Sequence, residues 1–261
     1  MDALGLPDTS LVVALCVAAA MAGWVDAVTG GGGLLQLPAL LVAMPEATPV
    51  QALATNKTSS LMGTAAAALA YARKAPPDLR TALPMAAAAF VGAAAGAGVA
   101  SRLPADAFRP VIVVLLVLVW LWTLLSPQMG RTQALRWQGH RRHYAIAVGA
   151  GLLIGFYDGI LGPGTGSFLL IVLVAGLGYS FLNASSTAKV VNLGTNVAAL
   201  LVFGLTGSVL WALGLLMGAF NILGAVVGAR MAIRRGSGFV RVVFLSVVGV
   251  LILRLGWDLV G

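Results

Sequence analysis

Read as apolar and polar positions, the chain is a series of long apolar runs joined by short polar connections. Leu11 to Ala22, Met62 to Tyr71, Met85 to Val99, Val111 to Leu125, Tyr144 to Ile154, Val197 to Phe203, Val209 to Val227 and Val242 to Leu253 are apolar on every face. With their flanks they approach or reach the roughly 20 residues that a bilayer-spanning helix needs. A transmembrane barrel would instead alternate in polarity over segments of about ten residues, so the pattern predicts helices. Proline-bearing turns interrupt it at Met44 to Thr48 and Ala75 to Asp78, where proline stops a helix and removes a donor. The one polar stretch of any length, Ser126 to Arg142, reads as a joint and not as a domain of its own.

Two stretches break the apolar pattern alike. Gly23 to Leu35 reads GWVDAVTGGGGLL, and Gly155 to Ser167 reads GFYDGILGPGTGS. Asp26 and Asp158 are 132 residues apart, as are Thr55 and Thr187, Lys57 and Lys189, Gly92 and Gly224, Gly96 and Gly228, and Arg102 and Arg234. A constant, gapless offset points to two copies of one unit. Each half reads as five elements: an apolar segment running into Asp and the glycines, a short apolar piece (Leu34 to Ala43; Phe168 to Ala175), a helix carrying the Lys, a small-residue helix and a last apolar helix. The expected division is 1–126 for the first repeat, 127–142 for a cytoplasmic linker and 143–261 for the second repeat.

Composition then sets the class. The chain is 60% hydrophobic and 9% charged, with mean hydropathy +0.99, where a soluble domain carries about 25% charged residues. The net charge of +8 does not imply nucleic acid, because the basic residues sit in short connections, where they orient the chain in a membrane. Arg73, Lys74 and Arg80, then Arg131, Arg136, Arg141 and Arg142, then Arg230, Arg234, Arg235 and Arg241 are assigned to the cytoplasm. The N-terminus, the Ala100 to Phe108 connection and Leu205 to Ser208 are assigned outside. The Lys57 helix then runs inward and the Lys189 helix outward, so the two copies are inverted. The fold expected is an all-α integral membrane protein of two inverted-topology repeats, with broken or re-entrant helices at the glycines, a build recurrent in secondary transporters. The first segment follows Asp2 and Asp8 without a basic residue, unlike a cleavable signal peptide. The lone Cys16 allows no intrachain disulfide. Trp120, Trp122, Trp137 and Trp257 fall near predicted helix ends, as an aromatic belt requires. His140 and His143 are expected to be solvated or at headgroup level, and Arg254, near Asp258, to snorkel.

Four ionisable residues remain at membrane depth: Asp26, Lys57, Asp158 and Lys189. A charge near the bilayer centre costs about 2.5 kcal/mol or more, so such groups face a cavity or one another. For the lysines the alternatives are snorkelling to an interface or pairing an aspartate to hold the fold; for the aspartates, capping the short helices. Gly92, Gly96, Gly98, Gly224 and Gly228 read as helix-packing glycines. Gly30, Gly31, Gly32 and Gly33 break a helix where irregular backbone must line a cavity or be buried in protein, and the helix restarting at Leu34 offers free N–H groups to an anion. Gly162, Gly164 and Gly166, with the Thr165 and Ser167 hydroxyls, build the same arrangement from the other side. Thr55, Asn56, Lys57, Thr187, Lys189, Asn192 and Asn196 add donors, and Lys189, Asn192 and Asn196 share one helix face. Asp26 and Asp158 are the candidate proton-coupling groups. No nucleotide-binding, metalloprotease or hydrolase motif is present, so no enzyme activity, metal or cofactor is expected.

The residues G-W-V-D-x-x-x-G-G-G-G-L-L-x-x-P-A-L, followed by A-L-A-T-N-K-x-x-S and the weaker copy G-F-x-D-x-x-x-G-P-G-T-G-S, resemble the TauE/SafE family of membrane transporters, also called the sulfite exporter family. The resemblance spans nearly the whole chain. It implies transport of a small sulfur-containing anion such as sulfite, a sulfonate or sulfoacetate; the mechanism expected is alternating access, and the direction expected is export. The second copy departs from the pattern, with Ala188 where the first has Asn56, so the two half-sites differ in their donors. The partners expected are the anionic substrate and the lipid bilayer of the cell inner membrane, with no nucleic acid; homo-oligomerisation stays open. The competing readings are an anion channel and an accessory membrane subunit without transport of its own.

Overall fold

The computed structural model describes residues 8–100, 117, 120–121, 124–125 and 130–260, the side chains of 251 and 254–260 excepted. The expected helix over 111–125 falls largely outside the described residues. So do Asp2, Arg102, Asp106, Arg109, Trp122 and the side chains of Arg254, Trp257 and Asp258.

The described chain is helical: α1 (Thr9–Thr29), α2 (Gly33–Ala43), α3 (Pro49–Lys74), α4 (Leu79–Val99), α5 (Arg141–Ile160), α6 (Thr165–Ile171, continued by a π-helical turn, Val172–Gly176), α7 (Phe181–Leu205) and α8 (Trp211–Val260). No strand occurs among the described residues. Helices α1, α4, α5, α7 and α8 are long and apolar enough to cross a membrane. The starts at 9, 33, 49 and 79 recur at 141, 165, 181 and 211, each 132 residues on.

Local chemistry sets these boundaries. Thr48 caps α3, its hydroxyl accepting from Gln51 N–H while the Gln51 side chain accepts from Thr48 N–H, and Pro49 occupies the first helical position. Ser180, at the same offset, caps α7 by accepting from Asn183 N–H at 3.3 Å. Two helices are expected near the end of the chain, and α8 consists of two helical stretches that meet at a kink at Gly236, with φ 73° and ψ −169°, a conformation that glycine supplies.

Packing pairs the halves crosswise. Helix α1 lies against α8 and α5 against α4, while α3 packs on α8 and α7 on α4. Small residues permit this. A Cβ added at Gly92 would lie 2.2 Å from Leu152 O, and one at Gly155 would lie 2.2 Å from Ala89 O, so α4 and α5 approach until backbone meets backbone. Gly224 and Gly228 meet α1 in the same way, but Gly98 faces open space and is not a packing glycine. The polarity of the bundle is the reverse of a soluble protein's. Leu153 is 73% and Leu205 89% exposed, whereas Lys189 is 1% exposed; apolar side chains face the lipid and charges face inward.

The linker docks onto the end of α6. Ala134 and Arg136 N–H donate to the carbonyls of Gly178 and Leu177, and the Arg136 guanidinium donates to Ala175 O at 3.0 Å, satisfying a carbonyl the helix end leaves open. His143 corrects the expectation made for it. Only His140 is exposed; His143 is buried, with Nε2 3.0 Å from Thr81 Oγ1 and Nδ1 2.9 Å from Arg136 O. Burial is possible because Thr81 Oγ1 and the Arg136 carbonyl partner the two ring nitrogens, and Thr81 itself belongs to a polar cluster in which Tyr179 donates to Asp78 Oδ2 at 2.5 Å and Thr81 does so at 3.0 Å. Burial alone would push the Asp78 carboxyl up, but these bonds and those from Thr81 and Arg80 N–H outweigh it and hold it below the ordinary carboxylate range. Burial, with the Asp78 carboxylate beside it, holds the Tyr179 phenol above its usual value.

Candidate functional site

The site is built where the two interrupted helix pairs cross. Helix α1 ends at Gly30, whose φ of +79° is a left-handed conformation suited to glycine. Gly30 lies against Gly166 so closely that a Cβ on either would come within 2.3 Å of the other's Cα. Gly162, at the offset position from Gly30, has φ +82°. The four glycines do break the helix, but the Leu34 N–H, expected to be free, donates to Gly31 O at 3.2 Å and the Leu35 N–H to Gly32 O. A tight turn between α1 and α2 uses these groups internally.

The four intramembrane charges pair across the halves. Lys57 Nζ, on α3, lies 2.6 Å from Asp158 Oδ1 on α5. Lys189 Nζ, on α7, lies 2.7 Å from Asp26 Oδ2 on α1, and also donates to the Asp26 carbonyl. Neither lysine snorkels: Lys57 is 2% and Lys189 1% exposed. Neither aspartate caps a short helix, since the N-caps of α2 and α6 are Gly32 and Gly164, without side-chain capping bonds. Buried ion pairs recover their desolvation cost only when the remaining lone pairs and protons are also met. Here Thr165 Oγ1 lies 2.5 Å from Asp158 Oδ1 and 2.8 Å from Gly162 O, Asn196 Oδ1 accepts from Lys57 at 3.3 Å, and Thr64 Oγ1 donates to Asp26 Oδ2 at 3.3 Å.

Asp26, Gly30, Gly33, Asn56, Lys57, Asp158, Gly162, Gly164, Thr165, Gly166, Asn192 and Asn196 line one cavity. Its volume is about 20 Å³, room for about one water. Asp158 Oδ2, Asn196 Nδ2 and Asn56 Oδ1 are buried there without a partner, so hydrogen-bonding capacity is left over at the centre of the bundle. Other expected site residues lie elsewhere. The Thr55 hydroxyl accepts from Leu210 N–H and that of Thr187 from Asp78 N–H, both at the entries to helices. Ser167 donates to Thr29 O. Gly31 and Gly32 pack on Val247 and Ala22. Lys189 stands behind the cavity, reaching it through Asp26. Two residues that the sequence reading passed over belong to the site: Ser60 lines the cavity and Thr64 bonds Asp26. Both were detectable, since they stand 132 residues before Asn192 and Asn196.

Comparison with known proteins agrees with this picture. Residues 15–255 match the family described as Sulfite exporter TauE/SafE. A relative from Sinorhizobium sp. named "Probable membrane transporter protein ORF9" is 40% identical over 248 residues, 94% of this chain and 92% of its own. "Probable membrane transporter protein YfcA" of Escherichia coli K12 is 34% identical over 259 residues, covering 98% and 94%. A "Probable membrane transporter protein" of Haemophilus influenzae is 35% identical over 236 residues, covering 88% of each chain. No solved structure matches. The family match over nearly the whole length, together with five helices among the described residues that are long and apolar enough to cross a membrane, establishes that the chain belongs to the TauE/SafE family and is a multi-pass membrane transporter.

Proposed function

We propose that the protein is a secondary transporter of the cell inner membrane that exports a small sulfur oxyanion, such as sulfite, a sulfonate or sulfoacetate, by alternating access. The crossed ion pairs carry this reading: each lysine of one half is neutralised by an aspartate of the other, around a cavity with unpartnered polar atoms. In this closed arrangement an anion must compete with a carboxylate for its lysine. A proton on Asp158 or Asp26 removes the competitor, so proton and anion bind cooperatively. For a monoanion the pair moves without net charge, and export is then driven by anion accumulated inside and not by the membrane potential.

The residues proposed to contact the anion are Lys57, Asn56, Ser60, Asn192, Asn196 and the glycine breaks at Gly30 and Gly162, with Lys189 acting through Asp26. A cavity with room for about one water supports an occluded state, from which the halves separate to admit substrate. The 132-residue recurrence of helix starts and the crosswise packing support two inverted repeats, 1–126 and 143–261, rocking about the site, with the 127–142 linker in the cytoplasm. Counterflow in proteoliposomes with sulfite, sulfate, taurine, isethionate and sulfoacetate tests the proposal. Saturable exchange of one or more sulfur anions, faster with an acid-inside gradient, is expected. Non-saturating flux would make the protein a channel, and no flux of any of them would refute the substrate class.

A further inference from the structure

Away from the central cavity, a groove of about 640 Å³ runs between α3 and α8 on the outer surface. Its two walls have the same design. On α3, Leu69 is followed one turn later by Arg73 and Lys74; on α8, Val226 is followed one turn later by Arg230 and then by Arg234. Residues three or four apart share a helix face, so each wall presents apolar side chains and then cations toward the same end of the groove. Four positive side chains converge there, all exposed. Among the described residues none of the four meets a carboxylate.

The helix pair itself does not require three of these charges. Across the 132-residue offset, Arg73 corresponds to Leu205, Lys74 to Thr206 and Arg230 to Gly98, while Arg234 corresponds to Arg102, which lies outside the described residues; the α7–α4 pair forms with the three uncharged residues. Three of the four cations therefore belong to one copy only. Orientation by the positive-inside rule needs basic residues near one end of the molecule, but not their convergence on a groove. Nor does it account for the apolar wall below them, where Leu69 is 66% exposed and the adjoining Leu223 and Val227 are 62% and 50% exposed. A soluble anion would neutralise the charges and leave that wall uncovered.

We propose that this groove binds an anionic phospholipid, its phosphate held by Arg73, Lys74, Arg230 and Arg234 and its acyl chain laid along Leu69 and Val226. Basic clusters beside membrane helices hold such headgroups by charge, each cation contributing modestly, and arginine adds a planar fork matched to phosphate oxygens.

The test uses the purified full chain in neutral detergent, read by native mass spectrometry and by thermal unfolding, with phosphatidylglycerol, cardiolipin, phosphatidylcholine and glycerol phosphate added in turn. Phosphatidylglycerol or cardiolipin should be retained and raise the unfolding midpoint, whereas phosphatidylcholine and glycerol phosphate should not. The double variants Arg73→Gln/Arg230→Gln and Lys74→Gln/Arg234→Gln should each weaken retention about tenfold to thirtyfold, while Arg80→Gln/Arg141→Gln, removing two cations elsewhere, should not change it. Equal retention of phosphatidylcholine, displacement by glycerol phosphate, or an equal loss in the Arg80/Arg141 variant would overturn the proposal.

Discussion

Lys57 and Asp158, separated by 101 positions in sequence, meet at 2.6 Å between Nζ and Oδ1, and the offset counterparts Lys189 and Asp26 meet at 2.7 Å. The pairing is crosswise: neither lysine takes the aspartate of its own half.

Because the Lys57–Asp158 pair is buried, Lys57→Met should leave an uncompensated carboxylate and destabilise the protein by about 3–5 kcal/mol. Adding Asp158→Asn should recover most of that loss without restoring transport. Thermal unfolding and proteoliposome flux, measured on both variants, check the two halves of this expectation; recovery of flux in the double variant would make the pair structural only.

Lys57→Arg keeps the charge but changes reach and donor geometry. A charge-assisted hydrogen bond contributes about 1.5–3 kcal/mol, so losing one such contact raises the apparent dissociation constant on the order of tenfold to a hundredfold. Anion-induced thermal stabilisation should therefore weaken in Lys57→Arg and vanish in Lys57→Met/Asp158→Asn. Wild-type stabilisation in both would remove Lys57 from the binding site.

Gly30→Ala forces a Cβ into φ +79° and to within 2.3 Å of Gly166. The left-handed backbone alone costs about 1–2 kcal/mol, and the clash at the helix crossing adds to it. Gly98→Ala, with open space around it, should be neutral. Comparing folded yield and unfolding midpoint of the two variants tests whether the crossing point is as tight as described.

The depressed Asp78 carboxyl gives an acid sensitivity with a definite sign. Its folded value lies below the unfolded one, so its stabilisation is fully present above the ordinary carboxylate value of about 3.9 and is lost as pH falls through the folded value. In unfolding midpoints measured between neutral and strongly acid pH, Asp78→Asn should start lower than wild type and converge with it at the acid end. Parallel curves would show that the charge of Asp78 contributes nothing.

For topology, Thr132→Cys in a Cys16→Ala background should react with an impermeant thiol reagent only from the cytoplasmic side. Thr132 is exposed, so labelling from the periplasm would contradict the assigned orientation.

Much of this protein is written in one dimension. A bilayer requires every spanning segment to satisfy its own backbone and makes each internal charge costly, so helix positions and the four central charges are legible from hydrophobic pattern alone. The glycine runs are legible as helix breaks for the same reason. What pattern cannot contain is the choice of partner. Periodicity identifies the face on which a residue stands, not which residue a hundred positions away meets it; that depends on how α1 docks on α8 and α5 on α4. Tertiary structure therefore decided that Lys57 takes Asp158, that the Thr55, Thr187 and Ser167 hydroxyls bond backbone away from the cavity, and that His143 is buried against Thr81. It also closed the space between the halves to about 20 Å³, because close packing at Gly30 and Gly166 is a property of two surfaces meeting and of neither sequence stretch alone.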